Sequence, residues 1–340
     1  MKIAFFEIFN EIIRGEKEIL ENFFLKEEIL YFNEKLSLEN VNSVKDAEII
    51  SVFTGSVVNK EIIDLLPNLK FINTSSTGFD HIDINYCREK GIKVSNVPAY
   101  GSVTVAEFTF ALLLTLSRKI YDAYDHLKED GDFNIYSLRG FDLRGKTFGV
   151  IGTGKIGKNV IKIAKGFGMN IIAYDLYPDA NFAGEYNFEY KSLLEVVAQA
   201  DIISLHVPYS KESHHLINKD IVAKMKKGVY VLNTARGELI DTDALIWGLQ
   251  EGIIAGAGLD VLEGERQLKE EIKVLSVPEE LKQTRNYKTL LEDHVLIDMP
   301  NVIVTPHIAF YSKEAEEAII KTTIDNIKGY MEEKPINLVK

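Results

Sequence analysis

The feature that most narrows the fold is an alternation running through almost the whole chain. Short runs rich in β-forming apolar residues, at 3–6, 49–53, 71–74 and 92–95, are separated by helical apolar spacing, as at 59–66 and 84–90. A second series of such runs begins at 147–151 and continues at 170–174, 201–205, 228–232, 253–258 and 302–305. Helical patterns at 155–167, 192–200, 218–225 and 242–251 fill its gaps. Strand, helix and strand in succession close as parallel βαβ units. Two such series in 340 residues predict an α/β protein of two doubly wound, Rossmann- or flavodoxin-like parallel-sheet domains.

A helical pattern without Gly or Pro, 103–128, leads from one series to the other. The last helical pattern, 313–331, follows the second series, and no strand is read after it. It is expected to pack back on the first series. That makes the first domain discontinuous, 1–100 completed by 308–340, around a second domain at 101–307. The charged stretch 266–300 reads as an irregular surface excursion.

The formal net charge of −12 disfavours binding to phosphate backbones, so no nucleic-acid partner is expected. One cysteine, Cys87, excludes an internal disulfide and a multi-cysteine zinc site, and no metal is expected. The apolar N-terminus is interrupted by Glu7 and Glu11 and reads as a strand, not a targeting segment. The most apolar stretch, 108–116, is too short to span a bilayer. These features predict a cytoplasmic protein without a membrane partner.

Residues 152–157 read Gly-Thr-Gly-Lys-Ile-Gly, directly after a strand-like run and at the opening of a helical pattern. That is the context a dinucleotide-binding turn requires. Gly152 allows a tight turn, Gly154 lets backbone approach a pyrophosphate, and Gly157 lets the helix lie close to the strand. Amides at the helix N-terminus then face the phosphates. Asp175 ends the next strand-like run, 18 residues past Gly157. A carboxylate there accepts the ribose hydroxyls of NAD and repels the 2′-phosphate of NADP.

Three segments at the far ends of second-series strands carry residues that core packing does not require: Arg236 in NTARGELID, Asp260, Glu263 and Glu265 in GLDVLEGE, and His307 in TPHIAFY. A guanidinium fork suits a substrate carboxylate. An imidazole can give a proton to a carbonyl oxygen, and a neighbouring carboxylate orients it and favours its charged form. The residues alone leave open a purely structural hydrogen-bonding role for His307.

Seven linked motifs resolve the choice: STGFDHID (76–83), NVPAYGSVTVAE (96–107), VIGTGKIG (150–157), HVP (206–208), NTARGELID (233–241), GLDVLEGE (258–265) and TPHIAFY (305–311). On these, over about 51–311, the chain resembles the D-2-hydroxyacid dehydrogenase family, and within it the D-lactate dehydrogenase branch. The resemblance implies a two-domain fold with its active site in the cleft between the domains, NAD as cofactor, and a homodimer built on the long connecting helix. It places the catalytic set on Arg236, Glu265 (not Glu263) and His307. It assigns substrate contacts to Thr77, Gly78, Tyr100, Phe53, Tyr311 and Arg236. It assigns NAD contacts to Thr104, Gly152, Gly154, Lys155, Ile156, Gly157, Asp175, Val207, Pro208, Thr234, Ala235 and Asp260. Ser75 stands where many members carry an arginine, and Arg266 where a proline is frequent.

The function this implies is NADH-dependent reduction of a small 2-keto acid to its D-2-hydroxy acid, pyruvate to D-lactate first. Glyoxylate, hydroxypyruvate or a bulkier 2-keto acid are the alternatives, and an NAD-sensing scaffold without catalysis is a reading of another class. Elsewhere bland roles are expected: His126 on the surface, His206 structural beside the cofactor, His214 and His215 in a solvated loop, Tyr121 and Tyr124 packing a helix.

Overall fold

Strands made wholly of buried residues lie inside each sheet, as expected of parallel sheets covered on both faces. The computed structural model describes residues 1–7, 13–131, 133–265, 268 and 287–339. Glu11, Arg266 and the 269–286 part of the charged excursion lie outside them. The chain divides into two units, Met1–Tyr100 with Ser312–Lys340, and Gly101–Tyr311. The 308–311 turn thus groups with the second unit. Asp260 holds the amides of Ile308 and Ala309, and a methyl group on Gly101 would sit 3.7 Å from Phe310 Cβ.

In the first unit, β1 (Lys2–Phe5), β2 (Glu28–Tyr31), β3 (Ile49–Val52), β4 (Phe71–Thr74) and β5 (Lys93–Ser95) form a parallel sheet in the order β2-β1-β3-β4-β5. Alternate side chains of these strands feed two cores. Ala4, Ile50, Ile72 and Val94 pack with Val58, Ile62 and Cys87. Ile3, Phe5, Ile49 and Phe71 pack with Leu20, Phe24, Ile324 and Ile327. The last two belong to the C-terminal helix Lys313–Met331, where Tyr330 also stacks on Phe71 at 4.4 Å. Beyond that helix Leu338 makes an antiparallel bridge to Ser95, a pairing too short to show as an apolar run.

In the second unit, β6 (Thr147–Ile151), β7 (Asn170–Tyr174), β8 (Glu189–Tyr190), β9 (Ile202–Leu205), β10 (Val229–Asn233), β11 (Ile254–Leu259) and β12 (Val302–Val304) form a seven-stranded parallel sheet. Its order is β12-β11-β10-β9-β6-β7-β8. The order reverses between β6 and β9, and ligands of open α/β sheets bind beyond the carboxyl ends of strands at such a point.

Two expectations change. The 103–128 pattern is two helices, Ser102–Arg118 and Ile120–Asp130, separated by Lys119 at φ +50°. The cause is tertiary: the Ser117 carbonyl, which a continuous helix would use internally, accepts the Phe141 amide at 2.8 Å. The end of the 266–300 stretch is a helix, Tyr287–Asp298, packed on the helix Thr242–Gln250. Thr289, Asp293 and Leu296 are its buried stripe, at helical spacing but with two polar members that a hydropathy reading overlooks. Among the described residues, no helix is long and apolar enough to cross a membrane.

Candidate active site

At the point where the strand order reverses, Gly152 leaves β6 with φ +95°, and a methyl group there would press on the His206 carbonyl carbon at 2.7 Å. A methyl on Gly157 would overlap the Gly152 carbonyl, so helix Lys155–Gly166 can approach the strand only with glycine at that position. A methyl on Gly154 would have nothing within 4 Å. That gap lies at the helix N-terminus, where free amides and the helix dipole suit an anionic diphosphate. Asp175 follows β7: its Oδ2 accepts from the amide (2.6 Å) and hydroxyl (2.9 Å) of Thr153, and its Oδ1 from the Tyr177 amide at 2.8 Å. The glycine turn and the acidic residue are therefore tied together, and the cradle fits a dinucleotide.

Other residues expected at the cofactor lie around this turn in different states. Lys155 and Pro208 are exposed, while Ile156, Val207, Ala235 and Thr104 are half-buried. Thr234 is buried, its hydroxyl 3.0 Å from that of Thr109. His206 sets Nε2 2.8 Å from the Ser204 hydroxyl, and burial pushes its imidazole down to about 3. It is uncharged at neutral pH, in keeping with a structural role.

Strands β10, β11 and β12 are neighbours in register, Asn233 beside Leu259 and Leu259 beside Val304. Their loops therefore start at one level and carry Arg236, Glu265 and His307. His307 Nδ1 lies 2.9 and 3.1 Å from the two Glu265 oxygens. A carboxylate only accepts, so Nδ1 bears the proton and Nε2 is the nitrogen left for chemistry. His307 stands at φ +58°, a left-handed conformation unusual for a non-glycine residue, with its amide on the Asp260 carbonyl at 2.9 Å.

The turn is held by Asp260, only 1% exposed. It accepts from the Thr305 hydroxyl at 2.6 Å and from the Ile308 and Ala309 amides at 2.9 and 2.8 Å. Burial raises its carboxyl above the ordinary range despite these donors. Asp260, expected to touch the cofactor, is thus engaged in shaping the histidine turn. Arg236 has extended backbone, and its Nη1 donates to the Ala235 carbonyl at 2.8 Å.

The first unit presents its expected residues separately. Thr77 is exposed, its hydroxyl donating to the Val97 carbonyl at 2.9 Å, and the Gly78 carbonyl accepts from Ser76 Oγ at 2.6 Å. Ser75 Oγ lies 3.1 Å from Thr323 Oγ1 and 3.3 Å from Ser51 Oγ, so hydroxyls anchor the loop root. Phe53 and Tyr100 are half-buried; Tyr311, at the end of the second unit, is 52% exposed.

Sequence reasoning missed Glu7. Its carboxylate takes the amides of Phe53, Gly55 and Ser56 at 3.0, 2.8 and 3.0 Å and the Ser56 hydroxyl at 2.5 Å. It thereby shapes the loop that carries Phe53, across the β1–β3 reversal of the first sheet. An acidic residue interrupting an apolar N-terminus was the only signal.

His215, read as solvated, is half-buried and bonded through Nε2 to Glu263 Oε1 at 2.8 Å. With His214 these two groups bring possible metal-ligand atoms within 4.8 Å of one another. The two imidazoles stack at 3.9 Å, however, so their in-plane lone pairs run side by side and do not converge on one ion.

Comparison with known proteins places this geometry in a family. Residues 110–309 match the family model of the D-isomer specific 2-hydroxyacid dehydrogenase, NAD binding domain. An aromatic 2-oxoacid reductase of Clostridium sporogenes is 40% identical, covering 83% of this chain and 82% of its own. The D-lactate dehydrogenase of Escherichia coli K12 is 36% identical over 89% of both. The crystal structure of D-lactate dehydrogenase from Aquifex aeolicus, complexed with NAD and lactic acid, superposes with a TM-score of 0.86 at 37% identity, covering 98% of this chain and 96% of that one. With its two parallel-sheet units and dinucleotide cradle, the chain belongs to the NAD-dependent D-isomer specific 2-hydroxyacid dehydrogenase family.

Proposed function

We propose that this protein reduces a small 2-keto acid to the D-2-hydroxy acid with NADH, and that pyruvate, giving D-lactate, is its substrate. The observation that carries this reading is the Glu265–His307 contact at 2.9 Å beside the strand end bearing Arg236. Bound NADH would supply the hydride that the substrate's second carbon receives. His307 Nε2, on the proton-bearing imidazolium, gives a proton to the carbonyl oxygen as charge develops there. Glu265 fixes the ring's orientation and stabilises its positive charge. Arg236 binds the substrate carboxylate through its planar fork and polarises the adjacent carbonyl. Thr77 and Gly78 contribute backbone amides to the carboxylate, and Phe53, Tyr100 and Tyr311 wall the substrate side chain. The Gly152–Gly157 turn and Asp175 would hold the diphosphate and the ribose, with Thr104, Val207, Pro208, Thr234, Ala235 and Asp260 around them.

In this reading residues 101–307 form the NAD-binding domain, and 1–100 with 308–340 the substrate domain. Exposed Tyr121, Tyr124, Phe133 and Tyr136 on and after the helix Ile120–Asp130 support a homodimer. The lone, buried thiol of Cys87 supports a cytoplasmic address. A second reading, a bulkier aromatic 2-keto acid, is favoured by the 40% identity to the Clostridium reductase.

Steady-state NADH oxidation over pyruvate, glyoxylate, hydroxypyruvate and phenylpyruvate, with chiral analysis of the product, tests the proposal. The expected result is the highest kcat/KM for pyruvate and a D product. A preference for phenylpyruvate would select the second reading. NADH binding without turnover on any of the four would favour a non-catalytic sensor.

A further inference from the structure

Glu263 is not in the catalytic set, yet both of its oxygens are used. Oε1 accepts from His215 Nε2 at 2.8 Å and Oε2 from the Thr242 hydroxyl at 2.9 Å. These donors stand on the two flanks of the turn that follows Arg236. On one side the 215–217 segment runs along that turn: the His215 amide bonds to the Glu238 carbonyl at 2.9 Å and the Ile217 amide to the Leu239 carbonyl at 3.0 Å. On the other side Thr242 opens the next helix, Thr242–Gln250. Beneath, Gly237 lies against the chain of the acidic loop, for a methyl group there would overlap the Leu262 carbonyl and the Glu263 amide. His215 adopts φ +51°, a conformation a non-glycine residue holds only when its surroundings require it.

The Arg236 turn and the Glu265 loop are thus pressed together through backbone and fastened by one carboxylate. From this geometry we infer that His215 and Glu263 are positioning residues for the reduction. Their hydrogen bond holds the Arg236 turn in register with the loop bearing Glu265, so that guanidinium and imidazole meet one substrate. The inference rests on the reductase reading above. Neither side chain touches the reacting atoms; they act through Arg236, whose task is to hold the substrate. Their loss should therefore fall on the keto acid and spare NADH.

The test is a kinetic double-mutant cycle on the full-length protein with the keto acid that the wild type reduces best. His215→Ala and Glu263→Ala should each lower kcat/KM by about 10- to 100-fold, the scale of a misplaced orienting group, mainly through KM. The NADH dissociation constant, read by nicotinamide fluorescence, should be unchanged. The double variant should be no worse than either single one, because a broken bond cannot be broken twice. His215→Gln, which keeps an N–H donor, should recover most of the loss. Should His215→Ala fail to fold, His215→Phe keeps the ring volume without the donor and should show the same rise in KM. Unchanged KM in the folded variants, or losses that add in the double variant, would overturn the inference while the wild type's turnover leaves the reductase reading intact. A wild type inert towards every keto acid would instead remove the reading on which the inference stands.

Discussion

The Nδ1 of His307 and the carboxylate of Glu265 face each other at 2.9 and 3.1 Å, joining the ends of two neighbouring strands. The contact orients the ring and leaves Nε2 as the nitrogen offered to a substrate. Glu265→Ala removes that orienting group and should lower kcat for reduction by about 10- to 100-fold with the NADH dissociation constant unchanged. Steady-state kinetics paired with NADH titration check this, and an unchanged kcat would mean that the pair does not position the imidazole.

The three turn glycines should separate binding from folding. Gly157→Ala forces a methyl onto the Gly152 carbonyl and should lower the melting temperature. A Cβ added at Gly154 meets no protein atom within 4 Å, so Gly154→Val should leave the melting temperature near wild type but weaken NADH by at least about tenfold, since a side chain would stand where a diphosphate meets the helix amides. Thermal scans paired with NADH titrations check both.

Asp175 should discriminate between the two nicotinamide coenzymes. Asp175→Ala removes an acceptor for the ribose hydroxyls and a charge that repels a 2′-phosphate. NADH should weaken more than NADPH, and the ratio of their dissociation constants is the measurement. Equal losses for both would contradict the ribose role.

Asp293 sets a pH dependence of stability. It is fully buried beside Gly264, and burial, helped by the nearby carboxylates of Glu263 and Glu292, pushes it up to about 7. An acid whose folded pKa exceeds its unfolded one binds more protons when folded. Its contribution is full below the unfolded value near 4 and is lost as pH rises through about 7. Asp293→Asn should flatten the melting temperature between about pH 4 and 7, the interval these two values span, and raise it at the alkaline end. A variant with the wild-type pH slope would show that Asp293 titrates normally.

Glu7 should matter for the loop that holds Phe53. Glu7→Ala strips a charged acceptor from three amides and a hydroxyl, at a cost of about 2 kcal/mol of stability and a higher KM for the keto acid. Denaturant unfolding and steady-state kinetics read the two effects.

Much of this architecture was legible in the sequence because parallel strands buried on both faces appear as continuous apolar runs. β4, β6 and β7 span the expected residues. The edge strands β2 and β8 escaped. One starts on a glutamate with only half-buried residues behind it, and the other is two residues long. The break at Lys119 left no mark because its cause, the Ser117–Phe141 bond, is formed by distant chain. Glu265 and His307 could be named from their motifs. The fastening of Glu263 to His215 could not, since 48 residues separate them and neither type announces a partner.

The central claim, that His307 is the proton donor of a 2-keto acid reductase, meets its most direct test in His307→Ala compared with wild type on the preferred keto acid, with NADH affinity measured alongside. A fall in kcat of at least about 100-fold with the NADH dissociation constant unchanged is the expected result. A variant that turns over near the wild-type rate would contradict it.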